Sequence, residues 1–174
     1  MSEEVTNEVR ARYGRTLLEQ YDRARATLGH EPSPSEDIGL VWAACAAGGS
    51  QDRWDPVRAE DLATDADWAC EVLGDLVSNL FHTVDGAVIP RLLLDAVAAS
   101  ECRGEAAWDE EARTEAWRLV GERGGRIARL LIAMRRALLT VHDVDADGLF
   151  DGARDVFEDE VEEERYNAVG TRRA

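Results

Sequence analysis

The chain has 174 residues, the length of one ordinary domain, and its 36 acidic and 20 basic residues give a formal charge of −16. All 20 basic residues are arginine. The absence of lysine excludes P-loop nucleotide binding, Schiff-base chemistry and pyridoxal phosphate enzymes, each of which needs a lysine amine. Hydrophobic residues make up 45% of the sequence, which is enough to bury a core. We therefore expect a single folded domain over residues 1–174.

The cysteines and the first residues of the chain bear on its cellular environment. Cys45, Cys70 and Cys102 are too widely spaced for a metal knuckle and too few for a disulfide scaffold, so we expect free thiols. The first residues lack the basic segment and following apolar segment that make up an export signal. No apolar run approaches the roughly 18 residues that span a bilayer. These features predict a cytoplasmic protein with no membrane contact.

Apolar side chains recur every three or four residues along most of the chain, which predicts a compact, mainly α bundle of six to seven helices. The first helix ends at Gly29, and Ser35 is the expected N-cap of the second. Gly124 and Gly125 are expected to break or kink the long sixth helix, because glycine is unfavourable in a helix interior. In chain order, the predicted helices cover residues 5–28, 36–47, 56–63, 65–81, 91–103, 105–142 and 149–166.

Asp85-Gly86 lies between short β-prone runs, which predicts one small β-hairpin near residues 82–89. Together with the helices before it, this hairpin completes the order of a winged-helix core over residues 36–89. A DNA-associated transcriptional regulator is therefore an alternative interpretation. The would-be recognition helix, residues 65–81, carries four acidic side chains and no arginine. Because DNA phosphates would repel that helix, arginines elsewhere would have to contact them.

Acid and arginine are segregated along the sequence. Residues 31–90 contain 12 acidic residues and 2 arginines, residues 143–166 contain 11 and 2, and residues 91–142 contain 8 and 9. On an unbroken helix, one face is basic and the opposite face is apolar. A basic face of this kind suits an acidic partner, a phosphate backbone or the protein's own acidic helices, and internal pairing is the default. The basic face consists of Arg118, Arg126, Arg129 and Arg136.

Residues 143–174 form an acidic C-terminal helix and tail. The helix carries an apolar stripe that includes Phe157 and Val161. Because residues 118–136 provide the only basic surface, we expect this helix to pack there or lie adjacent, in the same chain or between subunits, with Arg118, Arg126 or Arg129 facing its carboxylates. The apolar contact should contribute more than the ion pairs.

An aspartate-rich loop precedes that helix. It matches the first half of an EF-hand, but Arg154 stands where the bidentate glutamate is required. The favoured interpretation is that Asp145 or Asp147 caps the helix. The weak candidate metal ligands are Asp143, Asp145, Asp147 and Asp151.

No catalytic motif is recognisable in the sequence. His30, His82 and His142 fall at predicted helix ends, and none belongs to an HExxH or helical di-iron motif. We therefore expect no enzymatic activity and no cofactor. Trp42 and Trp54 border polar loops and are the aromatic residues expected at a contact surface.

These features together predict a non-enzymatic acidic helical adaptor or regulatory subunit that binds another protein and self-associates. The acidic blocks also suit a nucleic-acid mimic. The alternative is the winged-helix regulator, with an arginine helix on phosphates, although the overall charge disfavours nucleic acid. An acidic, lysine-free composition is also typical of salt-rich or GC-rich sources, where surface carboxylates serve hydration.

Overall fold

The computed structural model describes residues 5–50, 56–84, 90–101 and 110–171. These residues form seven helices without a strand, which confirms the prediction of a mainly α bundle. Within them, no helix combines the length and the apolar character that a membrane span requires. The helices are α1 (Asn7–Leu28), α2 (Pro34–Gly49), α3 (Ala59–Thr64), α4 (Ala66–Phe81), α5 (Pro90–Glu101), α6 (Glu110–His142) and α7 (Asp147–Thr171).

Local sequence signals determine where α1 ends and α2 begins. Gly29 follows α1 with φ 72°, a left-handed conformation that glycine adopts without a Cβ penalty. Ser33 and Glu36 form a reciprocal capping box at the start of α2. Ser33 is therefore the N-cap in place of the predicted Ser35, and Pro34 takes the first helical position, where its missing N–H costs nothing.

Helix α4 lies at the centre of the bundle. It packs against α1, α2, α3, α6 and α7, and its last six residues, 76–81, are all buried. The hydrophobic core around it contains side chains from all seven helices. The C-terminal half of α4 is therefore enclosed on every side.

Gly14 has no side chain, and this allows α1 and α4 to approach each other closely. A Cβ atom on Gly14 would lie 2.6 Å from the Cγ2 atom of Thr83 and would overlap the carbonyl oxygen of Asn79. Any larger residue would force the two helices apart. The close contact between α1 and α4 therefore requires glycine at position 14.

The winged-helix interpretation of residues 36–89 is wrong. A recognition helix must present to DNA a face that the phosphates do not repel. Helix α4, which has that position in the sequence, is buried over residues 76–81, and the exposed side chains nearer its start are all acidic, namely Asp67, Glu71 and Asp75. At the predicted first strand, residues 82–84 instead continue α4 as turns, in which the Thr83 amide donates to the Leu80 carbonyl at 3.0 Å. The remainder of the predicted hairpin, residues 85–89, lies outside the described residues.

Helix α6 has a kink at Gly121, where φ is 66° and ψ is −172°. The predicted break at Gly124 and Gly125 is therefore displaced by three residues, and both of those glycines lie within the helix. A glycine inside a helix is tolerated at a modest cost, whereas the backbone angles of Gly121 are essentially restricted to glycine.

Helix α7 packs mainly on α4. Phe157 meets Phe81 edge to face, with ring centroids 6.1 Å apart. Within one chain, the described residues of α7 therefore pack on α4 and not on the basic face of residues 118–136, because apolar side chains at the end of α4 receive its apolar stripe. The predicted contact between subunits stays a prediction. Beyond this contact, every residue from 162 to 169 is exposed.

Candidate functional site: an arginine-lined groove

The part of α6 that follows Gly121 has an inner and an outer face. Arg129 and Arg136 are exposed, and Arg126 is half-buried. The opposite face enters the core and consists of Ile127, Leu130, Met134 and Leu138. For this part of the helix, the predicted separation of a basic from an apolar face is confirmed.

An open groove of about 960 Å³ separates this outer face from the end of α1 and the start of α2. Arg126, Arg129 and Arg136 line it from α6, and Arg25 lines it from α1. Further lining residues are apolar or lack a side chain, namely Ala26, Pro32, Pro34, Gly121, Gly125 and Ile132. The fold thus brings three of the four predicted arginines to one concave surface.

One ion pair connects the two walls of the groove. The Nε atom of Arg126 donates to Oδ2 of Asp22 at 2.6 Å, and its Nη2 atom contacts the same oxygen at 2.5 Å. Both side chains remain partly exposed, so we expect the pair to contribute at most about 1 kcal/mol to stability. Its role is to hold α6 and α1 in register at the groove.

A second polar cluster stabilises the α1–α2 junction beside the groove. Arg25 donates to Asp37 at 3.1 Å and to the Tyr21 hydroxyl at 3.3 Å, and it also pairs with Glu31. Tyr21 in turn donates to Asp37 at 2.7 Å. Burial and the hydrogen bond to Asp37 raise the pKa of Tyr21, so its hydroxyl stays protonated as a donor.

The charges along the groove are matched in number but not all are paired. Four arginines and four carboxylates line it. Asp22, Glu31 and Asp37 are occupied by Arg126 or Arg25. Arg129 makes no ion pair or hydrogen bond with any residue that the structure describes. Its guanidinium therefore offers donors to a ligand in the groove.

The remaining predicted contact residues lie elsewhere. Arg118 is exposed but precedes the kink in α6 and does not line the groove. Trp42 is 4% exposed and meets the ring of His142 edge to face at a centroid distance of 5.8 Å. Its predicted role at a contact surface is therefore wrong, because it belongs to the core. Trp54 lies outside the described residues.

The aspartate-rich loop acts as a helix start. The Asp145 carboxylate accepts a hydrogen bond from the amide of Asp147, the first residue of α7, at 3.1 Å. Asp145 therefore satisfies one amide at the start of the helix, but Ala146 and not an aspartate stands at the N-cap. Asp147 and Asp151 pair with arginines at 3.1 Å. Within the described ranges, no three acidic, histidine or cysteine side chains are grouped to hold a metal ion. The candidate ligands Asp143, Asp145, Asp147 and Asp151 span the α6–α7 connection and the first turns of α7.

A buried polar cluster that no sequence motif indicates attaches α7 to α4 and α1. The Glu160 carboxylate lies 2.8 Å from Nε2 of His82, accepts from Ser78 at 3.1 Å and pairs with Arg10 at 2.8 Å. Burial raises the pKa of Glu160, but the hydrogen bond from His82 and the charge of Arg10 outweigh it, so the pKa is lowered. The partners are 78 to 150 positions away in the sequence, so local spacing could not reveal them.

The described cysteines are free, as the sequence predicts. Cys45 is buried and Cys70 half-buried, and burial raises the pKa of both thiols. Neither is poised as a thiolate nucleophile. Cys102 lies outside the described residues.

The described lining of the groove provides guanidinium donors, four carboxylates, the imidazole of His30 and apolar contact area. Comparisons of the chain with protein-family models, with curated proteins and with solved structures gave no match.

Proposed function

We propose that the protein is a non-enzymatic adaptor or regulatory subunit that binds an acidic segment of a protein chain in the groove between α1 and α6. The observation that supports this proposal is the placement of Arg126, Arg129 and Arg136 along one wall of an open groove. These residues lie up to ten positions apart, and helical periodicity alone places them on a common face.

Recognition by the groove combines charge with apolar contact. Arg129 presents a planar fork of N–H donors that matches the geometry of a carboxylate. Ile132 and the prolines of the α1–α2 connection provide apolar surface along the same lining. A segment that alternates acidic and apolar side chains would satisfy both features.

The lining favours a protein segment over nucleic acid. A DNA duplex carries one phosphate charge per roughly 1.7 Å of its axis, so it meets every charge along a surface. Four carboxylates line this groove alongside its four arginines, and they would repel a continuous polyanion. A peptide can instead place single carboxylates opposite single arginines. Nucleic-acid mimicry would use the acidic surface outside the groove and would not depend on Arg129.

Titration of the full chain with a labelled copolymer of strictly alternating glutamate and tyrosine tests the proposal, with fluorescence anisotropy as the readout. We expect the R129A variant to bind about tenfold more weakly, because a charge-assisted hydrogen bond is lost. The matched control is R91A, which removes an exposed arginine of α5 that does not line the groove, and it should bind like the wild type.

A labelled DNA duplex provides the competing arm of the same titration. Equal binding of the duplex and the copolymer would overturn the proposal in favour of a general polyanion site. Absence of copolymer binding, or an equal loss in R129A and R91A, would also overturn it.

A further inference from the structure

We infer that the groove binds the C-terminal half of α7 from a second copy of the same chain, so that copies associate from arm to groove. Here the arm denotes residues 158–169. This inference rests on the proposed function of the groove, and it names the acidic segment that the groove receives.

The arm extends beyond the core of its own chain. Every residue from 162 to 169 is exposed, and Tyr166 and Val169 retain 81% and 57% of their accessible surface. A helix of this length without packing is marginal in water. A partner that covers Tyr166 and Val169 would stabilise the helix and remove apolar area from solvent.

The arm and the α6 wall of the groove are opposite in charge, although the lining as a whole holds as many carboxylates as arginines. Carboxylates dominate the exposed surface of the arm, whereas the outer face of α6 presents Arg129 and Arg136 toward the groove. The tyrosine and valine of the arm match the apolar lining around Ile132. The exposed carboxylates of the arm are Glu158, Asp159, Glu162, Glu163 and Glu164.

The arm that enters a groove must come from another copy. Within each chain, α7 is attached to α4 through Phe157 and Glu160, and no α7 side chain that the structure describes lines the groove. Arm and groove are different surfaces, so each copy can donate its arm and receive another. Such contacts produce either an open series or a closed ring, of which a reciprocal pair is the smallest.

Sedimentation velocity of full-length variants tests this arrangement. The groove variant is R129A/R136A, and the arm variant is E162Q/E163Q/E164Q. We expect the wild type to form species larger than a monomer, and each variant to associate about tenfold more weakly or worse.

Mixing the two variants is the decisive measurement. The intact groove of the arm variant can receive the intact arm of the groove variant, so an equimolar mixture should recover dimers and nothing larger. The matched control is E8Q/E19Q/E60Q, which removes the same number of exposed charges from α1 and α3. It should associate at least as well as the wild type, because only net repulsion decreases.

Three results would overturn the inference. They are a wild type that stays monomeric, an arm variant that associates like the wild type, and a mixture that recovers no dimer. Copolymer binding measured at low protein concentration reports on the groove separately. If the copolymer binds through Arg129 while self-association is absent, this inference fails and the proposed function stands.

Discussion

Gly14 is a position where the absence of one carbon atom determines how two helices meet. An added Cβ would overlap the backbone of α4 at Asn79, and backbone cannot move aside as a flexible side chain can. We expect Gly14→Ala to lower the free energy of unfolding by about 1–3 kcal/mol, as overpacking does. Urea denaturation measures this change in the free energy of unfolding.

The control for this substitution is Gly152→Ala in α7, where a Cβ meets no atom within 4 Å. Alanine is the better helix former, so this variant should gain up to about 1 kcal/mol. A loss of stability at both positions would show that close packing at Gly14 is not the cause.

Glu160 makes stability depend on pH in the acidic range. Its carboxyl pKa is lowered in the folded protein from a value of 4.5. The stabilisation is therefore fully present above pH 4.5 and is lost as the pH falls through the folded pKa. We expect Glu160→Gln to cost about 1–3 kcal/mol near neutral pH, the range for a hydrogen-bonded charged group.

Urea denaturation of wild type and Glu160→Gln across pH tests this assignment. The difference between them should shrink as the solution is acidified toward about pH 3, because the wild-type carboxyl then becomes neutral too. The control is Glu162→Gln, at an exposed position on the same helix, and it should change little at any pH. A difference of constant size at all pH values would contradict the role given to Glu160.

At the scale of the element, apolar contact attaches α7 to α4 together with the Glu160 cluster. Phe157 packs against Phe81 and the ring of His82, the latter at a centroid distance of 4.6 Å. We expect Phe157→Ala to lower the free energy of unfolding by about 1.5–3 kcal/mol. Arg129→Ala, at an exposed position, should change it by less than about 0.5 kcal/mol. A loss for Phe157→Ala no larger than that for Arg129→Ala would show that this aromatic contact does not stabilise the fold.

Helix positions and faces could be predicted from the sequence because they depend on neighbouring residues. Gly29 ends α1 through its own backbone, and Pro34 begins α2 through its own ring. The outer face of α6 follows from a period of 3.6 residues, so Arg129 and Arg136 were predictable as partners on one surface. The opposite wall of the groove could not be predicted, since Asp22 is 104 positions from Arg126 in the sequence.

Contacts between distant helices could not be predicted for the same reason. Trp42 is predicted at a contact surface, yet it lies within an apolar run, and its neighbour in the core is His142, one hundred positions later. The sequence predicts the basic face as the site for α7 because charge can be read from a sequence, whereas the apolar surface at the end of α4 is formed only by the fold. Gly121, Gly124 and Gly125 are chemically identical, and only the surrounding structure determines which of them bends α6.

At the scale of the whole molecule, the formal charge of −16 opposes compactness. Screening shortens the Debye length from about 30 Å at 0.01 M salt to about 3 Å at 1 M. We expect added sodium chloride to raise the thermal unfolding midpoint, since relief of repulsion exceeds the loss of partly exposed ion pairs, worth at most about 1 kcal/mol each. Calorimetry at low protein concentration measures this shift.

The arm variant E162Q/E163Q/E164Q is also a control for this effect. It removes three of the 36 acidic residues, so its unfolding midpoint should rise less with salt than that of the wild type. A midpoint that falls as salt is added would show that ion pairs outweigh repulsion in this fold.

The backbone at the Gly121 kink has a conformation that D-residues favour over L-residues. Its φ of 66° and ψ of −172° are the mirror image of the extended polyproline conformation that ordinary residues favour. A Cβ at this position would meet no atom within 4 Å, so the obstacle to substitution is handedness and not space. L-alanine should cost on the order of 1–3 kcal/mol, whereas D-alanine, introduced by chemical ligation, would adopt these angles without strain. The direction of α6 at the edge of the groove thus depends on one achiral residue.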